Sequence, residues 1–392
     1  MIQQREIVEN AYGSHQITKK QTIVLPVAAP FCKRDLSYAC LDSIVLTCGE
    51  KGLAWDLQHH LMLCYKPVPG KDTNVSYVSG VVWTGHPHFL KMMKIDTTEI
   101  SAICGMKFSE FAYRSLLAGY YLIADLDEYY IPGCSLYHNA YKEAYPHAQL
   151  IYGYDSAADE FLLMGYRSNR QYCKTRVTSE EIELAEQSRY QQAIICNREK
   201  FNEFKFACHL YRTVPDMDFQ FDLGIFKMML EDYLASAELG QDTERLKIYF
   251  GCQGHYPSFQ YMNYFTTRCH GGWKFGIKVH EAVAERLAYL SEHTEEIRHI
   301  NDREYYVLKE HKEIMLRRFR YLNDTGLMAI PEELIERYRQ EVFKKLENVL
   351  LCVLKMKMTE RYEPSALKAL SQRVLDAYKS EENILRSIYA LL

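Results

Sequence analysis

Along the chain, apolar positions first recur at helical spacing and then switch to strand spacing. Leu41, Ile44, Val45 and Cys48 stand three and four residues apart. This predicts a helix from Tyr38 to about Thr47, with Gly49 directly after it as the stop. Trp55 to Leu63 carries a second helical pattern and Ser109 to Leu117 a third, and the KPVPGKD run (66–72) between them is rich in turn formers. Upstream, TIVLPVAA (22–29) reads as a short strand or extended segment. Then the period changes. YYLIADL (120–126) reads as a buried strand, HAQLIY (147–152) as a second, GYDS (153–156) as a turn and EFLLMGY (160–166) as the partner strand. Helices followed by antiparallel strands mean an α+β fold.

From about residue 190 the texture shifts. Residues 216–237 and 277–292 carry helical patterns, and Arg303 to Leu322 a long charged helix broken by Asp324 to Gly326. Pro331 suits the first turn of a helix over 332–358, and Pro364 opens a last one running to Leu392. Between these helices lies an aromatic, glycine-containing stretch, YFGCQGHYPSFQYMNYFTTRCHGGW (249–273). A chain of 392 residues fits two domains, because single cores stop growing near roughly 250–300 residues. The expected division is a loose polar segment over 1–20, an α+β domain over 21–190 and a mainly helical domain over 191–392.

Charge and composition exclude some functions. The net charge of −4 gives no basic field, so nucleic acid is not an expected partner. The first twenty residues lack an apolar core of signal-peptide length, and no run reaches the ~18–20 apolar residues a membrane span needs. The expectation is a cytoplasmic protein. Its 12 cysteines are irregularly spaced, which suits reduced thiols rather than a disulfide framework.

Two residues then carry candidate chemistry. Cys40 is placed near the start of its helix, where partial positive charge favours a thiolate and unpaired N–H groups can face an oxyanion. His147 follows Pro146 and opens a strand, an open position that suits a proton shuttle. Each alone also reads as an ordinary residue, a core cysteine or a surface histidine. Together, a Cys on an early helix and a His opening a strand roughly 100 residues later form the papain-like arrangement of nucleophile and base.

The surrounding motifs carry a resemblance. CLDSIVLTCG (40–49) resembles the start of the bacteriocin-leader peptidase fold, and more closely the butirosin-biosynthesis protein H N-terminal family. GYYLIADLDEYYIPG (119–133) is similar to that family's strand ending in an Asp-Tyr-Tyr turn, and HAQLIYGYDSAADEFLLMGY (147–166) to its His-bearing hairpin. EHKEIMLRRFRYL (310–322) resembles a helix of accessory proteins from nonribosomal-peptide and polyketide clusters. The resemblance implies a papain-like domain acting in specialised-metabolite biosynthesis. Cys40 would accept an acyl group from an acyl or peptidyl carrier protein's phosphopantetheine thioester. His147 would deprotonate the thiol and then a small-molecule amine, giving an amide. The chain would need no cofactor of its own. A hydrolase, either peptidase or thioesterase, and an inactive carrier-protein-binding scaffold are the alternatives.

The sequence departs from the family at two places. Where a Gln is expected about six residues before the Cys, Arg34 and Asp35 stand, and Arg34 becomes the substitute oxyanion donor and substrate-binding residue. Where an orienting Asp is expected after the His, Gly165 stands. Asp127, inside the recognisable motif, is the preferred substitute, ahead of Asp155 in the turn, with Asp125 and Ser168 as others. Tyr256, Tyr261 and Trp273, with Phe259 and Tyr264, are expected to line an acyl pocket. Cys252, His255, Cys269 and His270 do not follow a known zinc spacing, so no metal is expected there. His59 and His60 read as surface residues. The basic end of the 303–320 helix is a candidate contact for an acidic carrier protein.

Overall fold

The computed structural model describes residues 20–34, 36–66, 74–77, 87–96, 100, 103–139, 146–168, 171–195, 207–237 and 272–392. The first two helices, α1 (Leu36–Val45) and α2 (Glu50–His59), are joined by a 3-10 turn over Leu46–Cys48. Gly49 supplies the positive φ (68°) at their corner, in keeping with its expected role as a stop. The remaining helices are α3 (Phe108–Leu117), α4 (Ser179–Ile195), α5 (Leu223–Ala235), α6 (Val279–Glu292), α7 (Asp302–Asp324), α8 (Glu332–Tyr338), α9 (Lys344–Thr359) and α10 (Pro364–Tyr389). One π-turn over Arg339–Phe343 runs α8 into α9.

The strands are β1 (Ile23–Val24), β2 (Leu63–Lys66), β3 (Asn74–Tyr77), β4 (Leu90–Asp96), β5 (Tyr121–Asp127), β6 (Pro146–Asp155), β7 (Glu160–Tyr166), β8 (Tyr172–Thr178), β9 (Ala207–Thr213) and β10 (Lys274–Phe275). Among the described residues they form two sheets. The larger runs β4-β9-β5-β6-β7-β8 with β1 on β6, and the smaller runs β10-β2-β3. Every pairing is antiparallel, so the α+β class holds.

The expected division at residue 190 cuts through this architecture. β9 inserts between β4 and β5, and β10 pairs with β2, so both later strands complete sheets begun by the first half. One hydrophobic cluster also joins α1, α2 and the sheet to helices α5 to α10. The two halves therefore share a core.

Alternation along the strands sorts side chains onto two faces. Ile123, Ala148, Leu150, Tyr152, Leu162 and Met164 belong to the cluster holding α1 and the later helices. Leu122, Ala124, Leu126, Ile151, Phe161 and Leu163 belong to a second cluster with α3 and α4. Because both faces are covered, these strands read as continuous apolar runs rather than as alternating ones.

The helical half also buries charge. Glu381 of α10 accepts from Tyr338 (2.6 Å) and lies 2.9 Å from Lys312 Nζ and 3.1 Å from His280 Nε2. Lys312 Nζ is further held by Tyr233 Oη (2.9 Å) and His311 Nδ1 (3.0 Å). Burial lowers Lys312 to about 8, opposed by the Glu381 charge. This network ties α5, α6, α7 and α8 to α10. Among the described residues, no helix is long and apolar enough to cross a membrane.

Candidate functional site

Cys40 is the fifth residue of α1, not its first. Only the first four N–H groups of a helix lack an intrahelical acceptor, so the free donors lie a turn before the thiol. The side chain is fully buried in the larger cluster. Its sulfur receives a hydrogen bond from Tyr172 Oη at 3.7 Å, and that hydroxyl also stands 3.4 Å from Ser43 Oγ. Burial pushes the thiol up to about 12, which outweighs the lowering by the Tyr172 hydrogen bond. At neutral pH this favours the thiol over the thiolate, the form that attacks.

His147 lies on the other face of the sheet. It pairs across to Leu126, as Gln149 does to Ala124, and both partners belong to the α3–α4 cluster. The intervening Ala148, opposite Asp125, faces the Cys40 side. The sheet therefore does not bring Cys40 and His147 together as nucleophile and base. Asp125 of β5 is the strand charge that acts on the thiol. His147 Nδ1 instead meets Glu128 Oε1 at 2.5 Å, with the ring side chain 37% exposed and the carboxylate 8%.

The expected orienting carboxylate is thus displaced by one residue. Asp127 caps the short 3-10 turn Glu128–Tyr130: Oδ1 accepts from the Tyr129 N–H (3.1 Å) and Oδ2 from the Ser188 hydroxyl of α4 (2.6 Å). It fastens the motif to α4, while its neighbour Glu128 holds the ring. Asp155 ends β6, eight residues from His147, or about 26 Å at the usual strand rise. There it accepts from the Ala157 N–H and from Arg176 (2.9 Å), and the Arg176 hydrogen bond holds its carboxyl below the usual range. It is a turn residue. Gly165, where the resemblance leads one to expect an Asp, leaves room for Gln149, whose Oε1 would stand 2.1 Å from a Cβ at 165.

Arg34 is not aimed at the thiol. Its guanidinium stacks over Tyr306, 3.7 Å from the ring centroid, and its carbonyl oxygen accepts from Arg303 Nε at 2.9 Å. The N–H groups of Lys33 and Arg34 both donate to Glu310 Oε2 at 3.2 Å. These bonds anchor the loop before α1 to α7. Trp273 is half-buried beside Phe275 at the β10 edge of the small sheet. Tyr256 and Tyr261, and the Cys252, His255, Cys269 and His270 group, lie outside the described residues.

His59 and His60 correct a further expectation, since both are buried rather than on the surface. His59 stacks on Trp55 and bonds its carbonyl at 2.7 Å, and burial lowers it to about 4. The signal missed in the sequence is Asp56 followed four residues later by His60, a spacing that puts both on one helix face. Glu128, directly after Asp127, was likewise legible only as part of a motif. Comparison with protein-family models gives no match, and comparison with curated proteins gives none either.

Proposed function

We propose that this chain is a binding scaffold for an acyl or peptidyl carrier protein, built on a papain-like fold, with Cys40 serving the core and not acyl transfer. One observation carries this reading: the Cys40 thiol is sealed from solvent on the sheet face opposite His147. The displaced supports agree with it. The residue at the oxyanion position is tied to α7, and the position for the orienting acid is a glycine packed by Gln149. The carrier protein as partner rests on the motif resemblance in both halves of the chain.

The second reading, an amide-forming acyltransferase, draws on the His147–Glu128 pair, a carboxylate-oriented imidazole at a partly open position. Intact mass after incubation with an acyl-phosphopantetheine thioester separates the readings, with wild type and Cys40→Ala in parallel. The scaffold predicts no adduct on Cys40 and the same carrier-protein Kd for both chains by calorimetry. An adduct confined to wild type and discharged by amine would establish the acyltransferase. One discharged equally by water would establish the hydrolase.

A further inference from the structure

Two residues beyond Cys40, three metal-capable side chains converge where α1 packs on α2. Asp42, Asp56 and His60 are each wholly buried, and one donor atom of each lies within 4.8 Å of the other two. His60 Nδ1 faces Asp56 twice, with Oδ1 at 2.9 Å and the carbonyl oxygen at 3.1 Å. In the tautomer whose Nδ1–H points there, Nε2 carries the lone pair. Among the described residues Nε2 makes no hydrogen bond, and neither does Asp56 Oδ2. The hydroxyl of Tyr77, whose ring packs edge-on against His60 at 5.4 Å, also lacks a hydrogen-bond partner among the described residues.

Such a concentration of unsatisfied buried polar atoms is costly unless something joins them. A proton does not. Nε2 and Asp42 Oδ1 are 3.7 Å apart, beyond the ~2.7–3.2 Å of an N–H···O bond. Two ligands about 2.1 Å from one tetrahedral ion stand roughly 3.4 Å apart, so this gap is close to metal-ligand spacing. Charge points the same way. Arg318, fully buried, donates Nη2 to the His60 carbonyl oxygen (2.8 Å) and its charge acts on Asp56. It offsets the Asp56 carboxylate, and a second carboxylate at the same point is acceptable to a cation.

We propose that Asp42, Asp56 and His60 hold one divalent transition-metal ion, zinc or manganese in class, with His60 Nε2 as the nitrogen ligand. Two carboxylates and one imidazole form a hard-to-borderline donor set that suits these ions over thiophilic ones. Full enclosure makes the ion structural: it cross-links α1 to α2 beneath the sheet.

Metal analysis of the full-length chain, before and after chelation, followed by calorimetric titration of the stripped protein with Zn²⁺ alone, tests this. The expected result is one equivalent bound and a rise in Tm on adding it back. Asp56→Asn and His60→Gln should each lower Zn²⁺ affinity on the order of 100-fold, while Cys40→Ala leaves it unchanged. Because the first two variants alter the core, Co²⁺ in the stripped wild-type chain supplies an independent readout. Tetrahedral d–d bands without thiolate-to-cobalt charge transfer would place the ion on oxygen and nitrogen. Substoichiometric binding by wild type, a thiolate charge-transfer band, or folded variants that bind as wild type would each overturn the proposal.

Discussion

The two faces of the large sheet hold histidine–carboxylate pairs of the same kind under opposite conditions. On the α1 side, His60 meets Asp56 with no surface exposed, near an equally buried Arg318 and within the same core as the Glu381 network. On the α4 side, His147 meets Glu128 with more than a third of the imidazole side chain open to solvent. The residue types are alike, and burial separates what each can do. A sealed pair can only organise charge inside the core, while an open pair can exchange protons with a ligand. The papain-like arrangement needs thiol and imidazole on one side, and here the sheet stands between them.

The sharpest way to test the closed side is to remove the anion at its centre. Glu381→Ala leaves Lys312 buried beside His280 and His311 with its acid gone. Breaking a buried pair in this way should cost about 3–5 kcal/mol, read by equilibrium urea unfolding. Replacing both partners with apolar residues, Lys312→Met with Glu381→Leu, should recover a large part of that loss. Equal destabilisation by single and double variants would show that the network is not an ion pair in energetic terms.

A smaller effect is expected on the open side. Gly165→Asp restores the acid that the family resemblance expects, yet its Cβ would meet Gln149 Oε1 at 2.1 Å and disturb the Gln149–Arg167 hydrogen bond. The substitution should destabilise by about 1–3 kcal/mol in the same urea assay, as overpacking does. It should also create no Cys40 reactivity toward a thioester.

That position shows how far the sequence could be read. The helices at α1, α3, α7 and α10 and the β5–β6–β7 run were legible because their apolar periods are long and uninterrupted. β8 (YCKTRVT) and β9 (ACHLYRT) were not, since basic and polar residues break both and β9 lies in the half expected to be mainly helical. Cys40 and His147 were legible as residue types in a suggestive order. Their separation was not, because a strand changes face with every residue and only register shows that Ala148, not His147, faces α1. Asp42, Asp56 and His60 come from two helices whose packing no local pattern records.

Glu310 tests how firmly the closed side is sealed at its margin. Burial raises its carboxyl to about 7, above the usual 4.5, even though the Lys33 and Arg34 N–H groups favour the charged form. The folded chain therefore holds this proton more tightly than the unfolded one. Its contribution is fully present below 4.5 and is lost as pH rises through 7. Glu310→Gln keeps an acceptor for both N–H groups without the charge. Between pH 5 and about 6.5, wild type should lose about 1–2 kcal/mol relative to this variant, measured by thermal or urea unfolding at each pH. Parallel curves would show that Glu310 is hydrated and the margin open.

The smallest expected effect discriminates most directly between one site and two. If Cys40 and His147 formed a catalytic pair, removing the imidazole would change the thiol's ionisation and its rate of alkylation. In the observed arrangement the thiol answers to burial first, then to Tyr172 and Asp125, while His147 stands on the other face of the sheet. His147→Ala should therefore leave the iodoacetamide labelling rate of Cys40, followed by peptide mass spectrometry, unchanged within error. Tyr172→Phe removes the hydroxyl that bonds the sulfur and serves as the contrasting variant. With that stabilising hydrogen bond gone, the thiolate fraction falls further, so labelling at high pH should slow. A fall with His147→Ala and none with Tyr172→Phe would reverse the assignment: thiol and imidazole would then meet in a conformation in which the sheet no longer divides them.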